Sequence, residues 1–262
     1  MLMLVSLGCV KEKLQKRVKT QKVWLLAGQS NMIGHGADSS KLPEALKKVQ
    51  TNVKIFTEVT GKWVNLGVGH GAGENGFGPE LVFGREMAAA LPEVEVLLIK
   101  SRFGLGNLYE NWASPNTGRG PAGQWYKAYM DLVKKAMASK PNIEIAGMIW
   151  MQGEGDSYDD INEAESYDKN LILFIKSLRS DLNTPDMEFV IGQINEAKQW
   201  VYGEIVRRKQ VKVAETTPCV TWFATNDLPL SGDGMHFSTK GYIELGKRFA
   251  QKAILLESGK KH

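Results

Sequence analysis

The sequence has too few cysteines for a disulfide scaffold or a zinc site, since only Cys9 and Cys219 occur among 262 residues. The net charge is low, formally +4, and apart from a basic run at 11–22 acidic and basic residues alternate along the chain. That pattern lacks the basic patch or stripe that is typical of nucleic-acid-binding proteins. Internal repeats and low-complexity segments are absent as well. With 43% hydrophobic and 24% charged residues, the composition is that of an ordinary globular domain.

The sequence also lacks an apolar run long enough to cross a bilayer, which takes roughly 20 residues. Residues 1–10 are apolar and precede a basic run, so we expect an N-terminal segment over 1–21 and one domain over 22–258. Ser6–Cys9 resembles a bacterial lipoprotein cleavage site, although no basic residues precede the apolar stretch. The resemblance implies a lipid anchor at Cys9 and a secreted, periplasmic or surface protein. A cytoplasmic N-terminus is the alternative.

Short apolar runs alternate with amphipathic patterns. The runs predict strands at about 23–27, 94–99, 143–150 and 189–193, with the last of these ending the regular parallel strands. Helical spacing of apolar residues predicts helices between and after them, at about 79–91, 124–139, 164–182 and 241–256. This alternation indicates an α/β protein, a three-layer α/β/α sandwich around a central parallel sheet.

A serine stands just past the first predicted strand. Gly28 permits a sharp turn at the strand end, and Ser30 follows it. In open α/β sheets, ligands bind at the carboxyl ends of the strands. Taken alone, such a serine is either a helix cap or a nucleophile.

An acid and a histidine lie three residues apart near the C-terminus, at Asp233 and His236. The spacing places both side chains on one side of a turn, where the carboxylate can orient the imidazole. Together with Ser30 they supply the three groups of a serine hydrolase triad, which is recognised by roles rather than by chain order. The sequence therefore predicts Ser30 as nucleophile, His236 as base and Asp233 as its partner.

Three motifs together resemble the signature blocks of the SGNH hydrolases, in the branch of sialate O-acetylesterases and carbohydrate acetyl esterases. They are Gly28–Met32, Trp150–Glu154 and Asp233–Phe237. The resemblance covers roughly Lys22 to Leu256 and implies a flavodoxin-like SGNH hydrolase fold.

The resemblance also implies further site residues. The oxyanion hole would use the Ser30 N–H, a glycine N–H and the Gln152 amide, which stands where most SGNH enzymes have asparagine. The glycine is taken as Gly104, with Gly106 the alternative, because the stretch departs from the family's Gly-Gly-x-Ser pattern. The residues implied to bind substrate are Gln29, Asn31, Glu154 and Trp112. Trp112 lies in a loop rich in proline and glycine, where it either stacks on a sugar or packs beneath the loop.

The implied activity is removal of O-acetyl groups from a carbohydrate, such as acetylated xylan, another glycan or sialic acid, through an acyl-Ser30 intermediate. No metal or cofactor is expected. One alternative is a non-catalytic carbohydrate-binding protein on the same fold, and another is an esterase of non-carbohydrate esters. A nucleotide-binding domain is disfavoured because the glycine-rich stretch 67–78 lacks a phosphate-loop lysine.

Overall fold

The computed structural model describes residues 20–259, and a sheet runs through the middle of this part of the chain. The predictions for residues 1–19, including the lipid anchor at Cys9, concern residues outside this described range. The strands in chain order are β1 (Thr20–Gly28), β2 (Gln50–Thr57), β3 (Val64–Leu66), β4 (Val94–Lys100), β5 (Glu144–Met151), β6 (Glu188–Gly192) and β7 (Val220–Phe223). The helices are α1 (Ser30–Ile33), α2 (Glu44–Lys47), α3 (Glu80–Ala90), α4 (Gln124–Ala138), α5 (Ile161–Asp181), α6 (Gly203–Thr216) and α7 (Thr239–Glu257).

The sheet has the order β3-β2-β4-β1-β5-β6-β7, and every neighbouring pair is parallel except β2 with β3. β1 lies at its centre, and its residues from Val23 onward are buried. The mostly parallel sheet is confirmed. One expectation was wrong, because β7 continues the parallel sheet beyond β6. Its four residues are too few for the periodicity to separate a strand from a short extended loop.

Helices cover both faces of the sheet. Trp24 of β1 contacts Phe83 of α3, whereas Trp150 of β5 contacts Phe174 of α5. Trp150 pairs with Ala27, which faces the opposite side from Trp24 because side chains alternate along a strand. The helices α3 and α5 therefore pack on opposite faces. α7 packs beside α3 on one face, and α4 and α6 pack beside α5 on the other face. The two helical layers and the sheet make three layers.

The helices of the described region include none that is long and apolar enough to cross a membrane.

Glu188, at the start of β6, has one buried carboxylate oxygen without a hydrogen-bond partner. Burial, and then the charge of Glu257, raise the pKa of Glu188 to about 8 from its ordinary 4.5. A raised carboxyl pKa means that the folded state favours the protonated form. Ionisation of Glu188 therefore removes stability progressively as pH rises from about 4.5 towards 8.

We expect Glu188→Gln to stabilise the protein at pH 8.5 by about 1–2 kcal/mol, because it removes a poorly solvated charge. At pH 4.5 the variant and the wild type should unfold at nearly the same temperature. Thermal unfolding at the two pH values checks this. Glu74→Gln, in an exposed loop, controls for the loss of one charge. An equal effect of Glu188→Gln at both pH values would contradict the assignment.

Candidate active site

Ser30 lies at the carboxyl end of the central strand. Gly28 has φ +156°, and a Cβ there would fall 1.9 Å from the carbonyl oxygen of Met151, so this close approach of β1 to β5 requires glycine. Ser30 then begins the single-turn helix α1. Its hydroxyl makes no hydrogen bond to any residue that the structure describes, and the residue is 8% exposed. The hydroxyl is thus free to react at the sheet edge where ligands bind.

Asp233 and His236 form a close pair in the turn before α7. The distance from Asp233 Oδ2 to His236 Nδ1 is 2.7 Å. The other oxygen, Oδ1, accepts hydrogen bonds from the Ser231 hydroxyl and from the N–H groups of Met235 and His236, at 2.7–2.9 Å.

These contacts determine the charge of Asp233. Burial alone would raise its pKa, but the hydrogen bonds from His236, the backbone and Ser231 outweigh burial and hold the pKa of Asp233 well below its usual range. An ionised carboxylate at Nδ1 selects the tautomer in which Nδ1 carries the proton. Nε2 is then the acceptor of His236, as a general base requires.

Asn31 joins the serine turn to the histidine turn. Its Oδ1 accepts from the Phe237 N–H at 3.2 Å and from the Tyr242 hydroxyl at 3.0 Å. Asn31 follows Ser30 directly, and Phe237 follows His236. A single side-chain amide therefore connects the segments that carry the candidate nucleophile and the candidate base.

Glu154 accepts a hydrogen bond from the NH₂ group of the Asn31 amide. Asn31 Nδ2 donates to Glu154 Oε1 at 2.7 Å, while Oε2 of the same carboxylate is buried without a partner in the described region. Glu154 is fully buried, and burial raises its pKa, while the hydrogen bond from Asn31 and the charge of His236 act in the opposite direction. The turn after β5 is thereby fixed to the serine turn.

Gln29 makes a second connection between the same two turns. Its Oε1 accepts from the Gly155 N–H at 3.0 Å and from the Gly153 N–H at 3.4 Å. Gln29, Asn31 and Glu154 are at most 4% exposed. Their polar groups hold backbone segments together inside the protein, and a direct role of these three residues in substrate binding stays a prediction.

Gln152 is also fully buried, and its amide is engaged within the loops. Nε2 donates to Asp156 Oδ2 at 2.6 Å and, in a longer bond of 3.4 Å, to the Gly106 carbonyl. The Tyr167 hydroxyl lies 3.2 Å from Gln152 Oε1, which fixes the orientation of the amide.

The two candidate oxyanion glycines have different surroundings. A Cβ on Gly104 would lie 3.0 Å from the Ile33 side chain, so Gly104 stands against the helix that begins with Ser30. A Cβ on Gly106 would instead meet Trp125 and Asn111, and the Gly106 carbonyl lies against Gln152 and Gly155. These contacts favour Gly104, which stays a prediction.

Asp156 was not predicted, yet it organises the loop after β4. It accepts from the N–H groups of Leu108 at 2.7 Å and Tyr109 at 3.0 Å, besides the bond from Gln152. Burial raises its pKa to about 7 although all three donors favour the ionised form. The backbone partners lie almost 50 residues away in the chain, and the sequence offers no signal for a contact of that range.

The expectation that Trp112 binds substrate was wrong. Trp112 is 0% exposed and lies in an aromatic cluster, with its ring 5.3 Å from Trp150 and 6.0 Å from Phe174. A ring enclosed in this way cannot stack on a sugar. By contrast His35 is exposed, and its ring lies 5.0 Å from that of His236.

The glycine-rich stretch packs on the serine turn. The Ala72 N–H donates to the Ile33 carbonyl at 2.8 Å, and a Cβ on Gly34 would collide with the carbonyl of Phe77. Gly78 of this stretch serves close backbone packing beside α1, since a Cβ there would lie 2.4 Å from the Met32 carbonyl oxygen. Within residues 20–259, no three or more His, Cys, Asp or Glu side chains are grouped so as to hold a metal ion.

A mostly parallel sheet between two helical layers, a serine turn after β1 and an Asp–His pair before α7 define an SGNH-type hydrolase. The model of one family, described as carbohydrate esterase, sialic acid-specific acetylesterase, matches residues 20–255. The chain belongs to this family and is a carboxylic ester hydrolase of the carbohydrate esterase branch.

Relatives agree in sequence and in fold. A protein of Arabidopsis thaliana named "Probable carbohydrate esterase" is 26% identical over 267 residues, which cover 94% of this chain and 95% of that protein. A solved structure from Arabidopsis thaliana superposes with a TM-score of 0.74 at 24% identity, over 90% of this chain and 98% of the other. A carbohydrate acetylesterase from Xanthomonas citri gives 0.67 at 20% identity, over 92% of this chain and 57% of the other.

We expect Asn31→Ala to destabilise the fold by about 3 kcal/mol, because it leaves the buried Glu154 carboxylate without a donor. Hydrolysis of p-nitrophenyl acetate should fall at least about tenfold, since the serine and histidine turns lose their connection. Urea unfolding and steady-state kinetics measure the two effects. Tyr242→Phe is the matched control, because it keeps the ring and the Asn31 donor to Glu154 while it removes the hydroxyl's bonds to Asn31 and to the His35 carbonyl. Wild-type stability and turnover in Asn31→Ala would refute the connecting role.

Proposed function

We propose that this protein removes O-acetyl groups from a carbohydrate through an acetyl intermediate on Ser30. The observation that carries the proposal is the Asp233–His236 pair, 2.7 Å apart, on a turn that Asn31 connects to the serine turn. Membership in a family of carbohydrate esterases supports the substrate class. The Xanthomonas citri structure, described as that of a carbohydrate acetylesterase, is consistent with the same activity.

In the first step, His236 Nε2 takes the Ser30 proton as the serine oxygen attacks the acetyl carbonyl carbon. The bond to the sugar oxygen then breaks, and His236 returns the proton to that oxygen. In the second step, water attacks the acetyl carbon with His236 again as base; the bond to Ser30 Oγ then breaks, His236 returns the proton to Oγ, and acetate leaves. Asp233 stays ionised and stabilises the imidazolium that forms in each step.

Three donors are proposed for the negative oxygen of each tetrahedral intermediate. The Ser30 N–H begins α1 and has no acceptor within that helix. The Gly104 N–H lies in the segment that packs on α1. Gln152 can exchange its weak bond to the Gly106 carbonyl for one to the developing oxyanion while it keeps its bond to Asp156. Loss of one such donor typically costs about 100- to 1,000-fold in rate.

The proposal specifies the reaction but leaves open which acetylated carbohydrate is the substrate. Acetylated xylan, another acetylated glycan and O-acetylated sialic acid all present the same ester to Ser30. The family's description names sialic acid, while the named relatives are carbohydrate esterases in general. Substrate choice among them depends on the loops around the site.

The test is acetate release from acetylated xylan and from O-acetylated sialic acid. We expect Ser30→Ala to lose at least about 1,000-fold in kcat. Ser40→Ala, an exposed serine in the following loop, should match the wild type. Equal release by wild type and Ser30→Ala would eliminate Ser30 as the nucleophile. Binding of these sugars with no ester hydrolysis by the wild type would favour the non-catalytic alternative.

A further inference from the structure

Tyr158 is an exposed aromatic residue next to the candidate active site. It directly follows the 3₁₀ turn Gly155–Ser157 after β5 and is 44% exposed. Its hydroxyl makes no hydrogen bond to a residue within the described range. Tyrosine combines a flat apolar ring with a polar hydroxyl, a combination that is enriched at binding interfaces.

Trp200 holds the Tyr158 ring in place. The two ring centroids are 5.0 Å apart and the planes meet at 85°, an edge-to-face arrangement. Trp200 is 8% exposed, and its indole N–H donates to Asn195 Oδ1 at 2.8 Å. The Tyr202 N–H also donates to the Ser157 carbonyl at 2.8 Å, which joins the two loops. The exposed ring is therefore supported from beneath by a fixed one.

The same contacts connect Tyr158 to the histidine turn. Asn195 Nδ2 donates at 2.8 Å to the carbonyl of Met235, the residue before His236. The path from His236 to Tyr158 therefore runs through one backbone carbonyl, Asn195 and Trp200.

A second path leads to the serine turn. Glu154, which binds Asn31, accepts at its carbonyl from the N–H and the hydroxyl of Ser157, the neighbour of Tyr158. Partial burial and then the negative charge of Glu154 raise the pKa of Tyr158, which is consistent with this proximity. Chains of contacts, through Trp200 and Asn195 on one side and Ser157 and Glu154 on the other, therefore link Tyr158 to both turns that carry the proposed triad.

We propose that Tyr158 is a stacking platform for a pyranose ring of the substrate, held in position by Trp200. The proposal rests on the carbohydrate esterase function proposed above and assigns a sugar subsite to it. A sugar ring has an apolar C–H face that packs on an aromatic ring, while its hydroxyls remain available to the Tyr158 hydroxyl and to water. The sugar-stacking role that the sequence predicted for Trp112 is therefore assigned to Tyr158, whose ring a sugar can reach.

The first experiment compares two substrates that carry the same acetyl ester. Acetylated xylo-oligosaccharide or O-acetylated sialic acid presents a sugar ring, and p-nitrophenyl acetate does not. For the acetylated sugar, we expect Tyr158→Ala to raise KM about 5- to 20-fold, as truncation of an aromatic anchor does, with little change in kcat. Tyr158→Phe, which keeps the ring, should stay within about threefold. On p-nitrophenyl acetate, kcat/KM should stay within about twofold.

Val201→Ala is the control. Val201 follows Trp200 in the chain and is 68% exposed, but it has no aromatic ring. An equal loss on both substrates would show that Tyr158 merely supports the fold. Unchanged kinetics on the acetylated sugar would also overturn the proposal.

A binding measurement separates this inference from the proposed reaction. Calorimetric titration of Ser30→Ala with each acetylated sugar measures affinity without turnover. We expect a Kd that rises about 5- to 20-fold when Tyr158→Ala is added. The same Kd in both variants, or no binding by Ser30→Ala, would overturn the subsite. In either case, the loss of p-nitrophenyl acetate hydrolysis in Ser30→Ala would still support the serine mechanism.

Discussion

The side-chain amide of Asn31 is the interaction on which the rest of the site depends. Its NH₂ meets a carboxylate, which when ionised can only accept, and its oxygen meets the Phe237 N–H, which can only donate. The amide cannot be reversed without facing donor to donor and acceptor to acceptor. Parallel strands bring loop ends to one edge of a sheet, but they do not fix those loops to within a hydrogen bond of each other. Asn31 supplies that precision for the serine and histidine turns.

A buried ion pair lies near the serine turn, because Gly78 packs against both Met32 and Glu80. Glu80 and Lys100 form an ion pair of 2.5 Å with both side chains 0% exposed, and the Gly78 N–H also donates to Glu80. Burial lowers the pKa of Lys100, although the charge and hydrogen bond of Glu80 oppose it. Buried pairs of this kind contribute little net stability, because desolvation offsets their attraction. Their effect here is geometric: the pair joins the end of β4 to the start of α3, beside the loop that packs on α1.

How much the sequence could predict depends on how far apart in the chain the contacting residues lie. Gly28 and Ser30 follow one strand, and Asp233 and His236 are three residues apart, so short patterns predict both. Asp156 and its backbone donors are far apart in the chain, and no local pattern relates them. Whether a loop aromatic is exposed is equally non-local: Trp112 is covered by residues of β5 and α5. The sheet was predictable from its apolar strands, whereas short β7 needed its pairing with β6 to be seen.

The division between residues that hold the site and residues that can touch a substrate has a physical basis. Gln29 and Asn31 flank Ser30, Glu154 lies two residues after Gln152, and the tight turns that present these candidate groups draw their neighbours into the interior. Side chains that remain accessible come instead from loop positions one turn further out, such as His35 and Tyr158. A change at such a position leaves the buried amide and carboxylate contacts in place. Substitutions at the loop tips can therefore alter the choice of substrate while the serine and histidine turns keep their geometry.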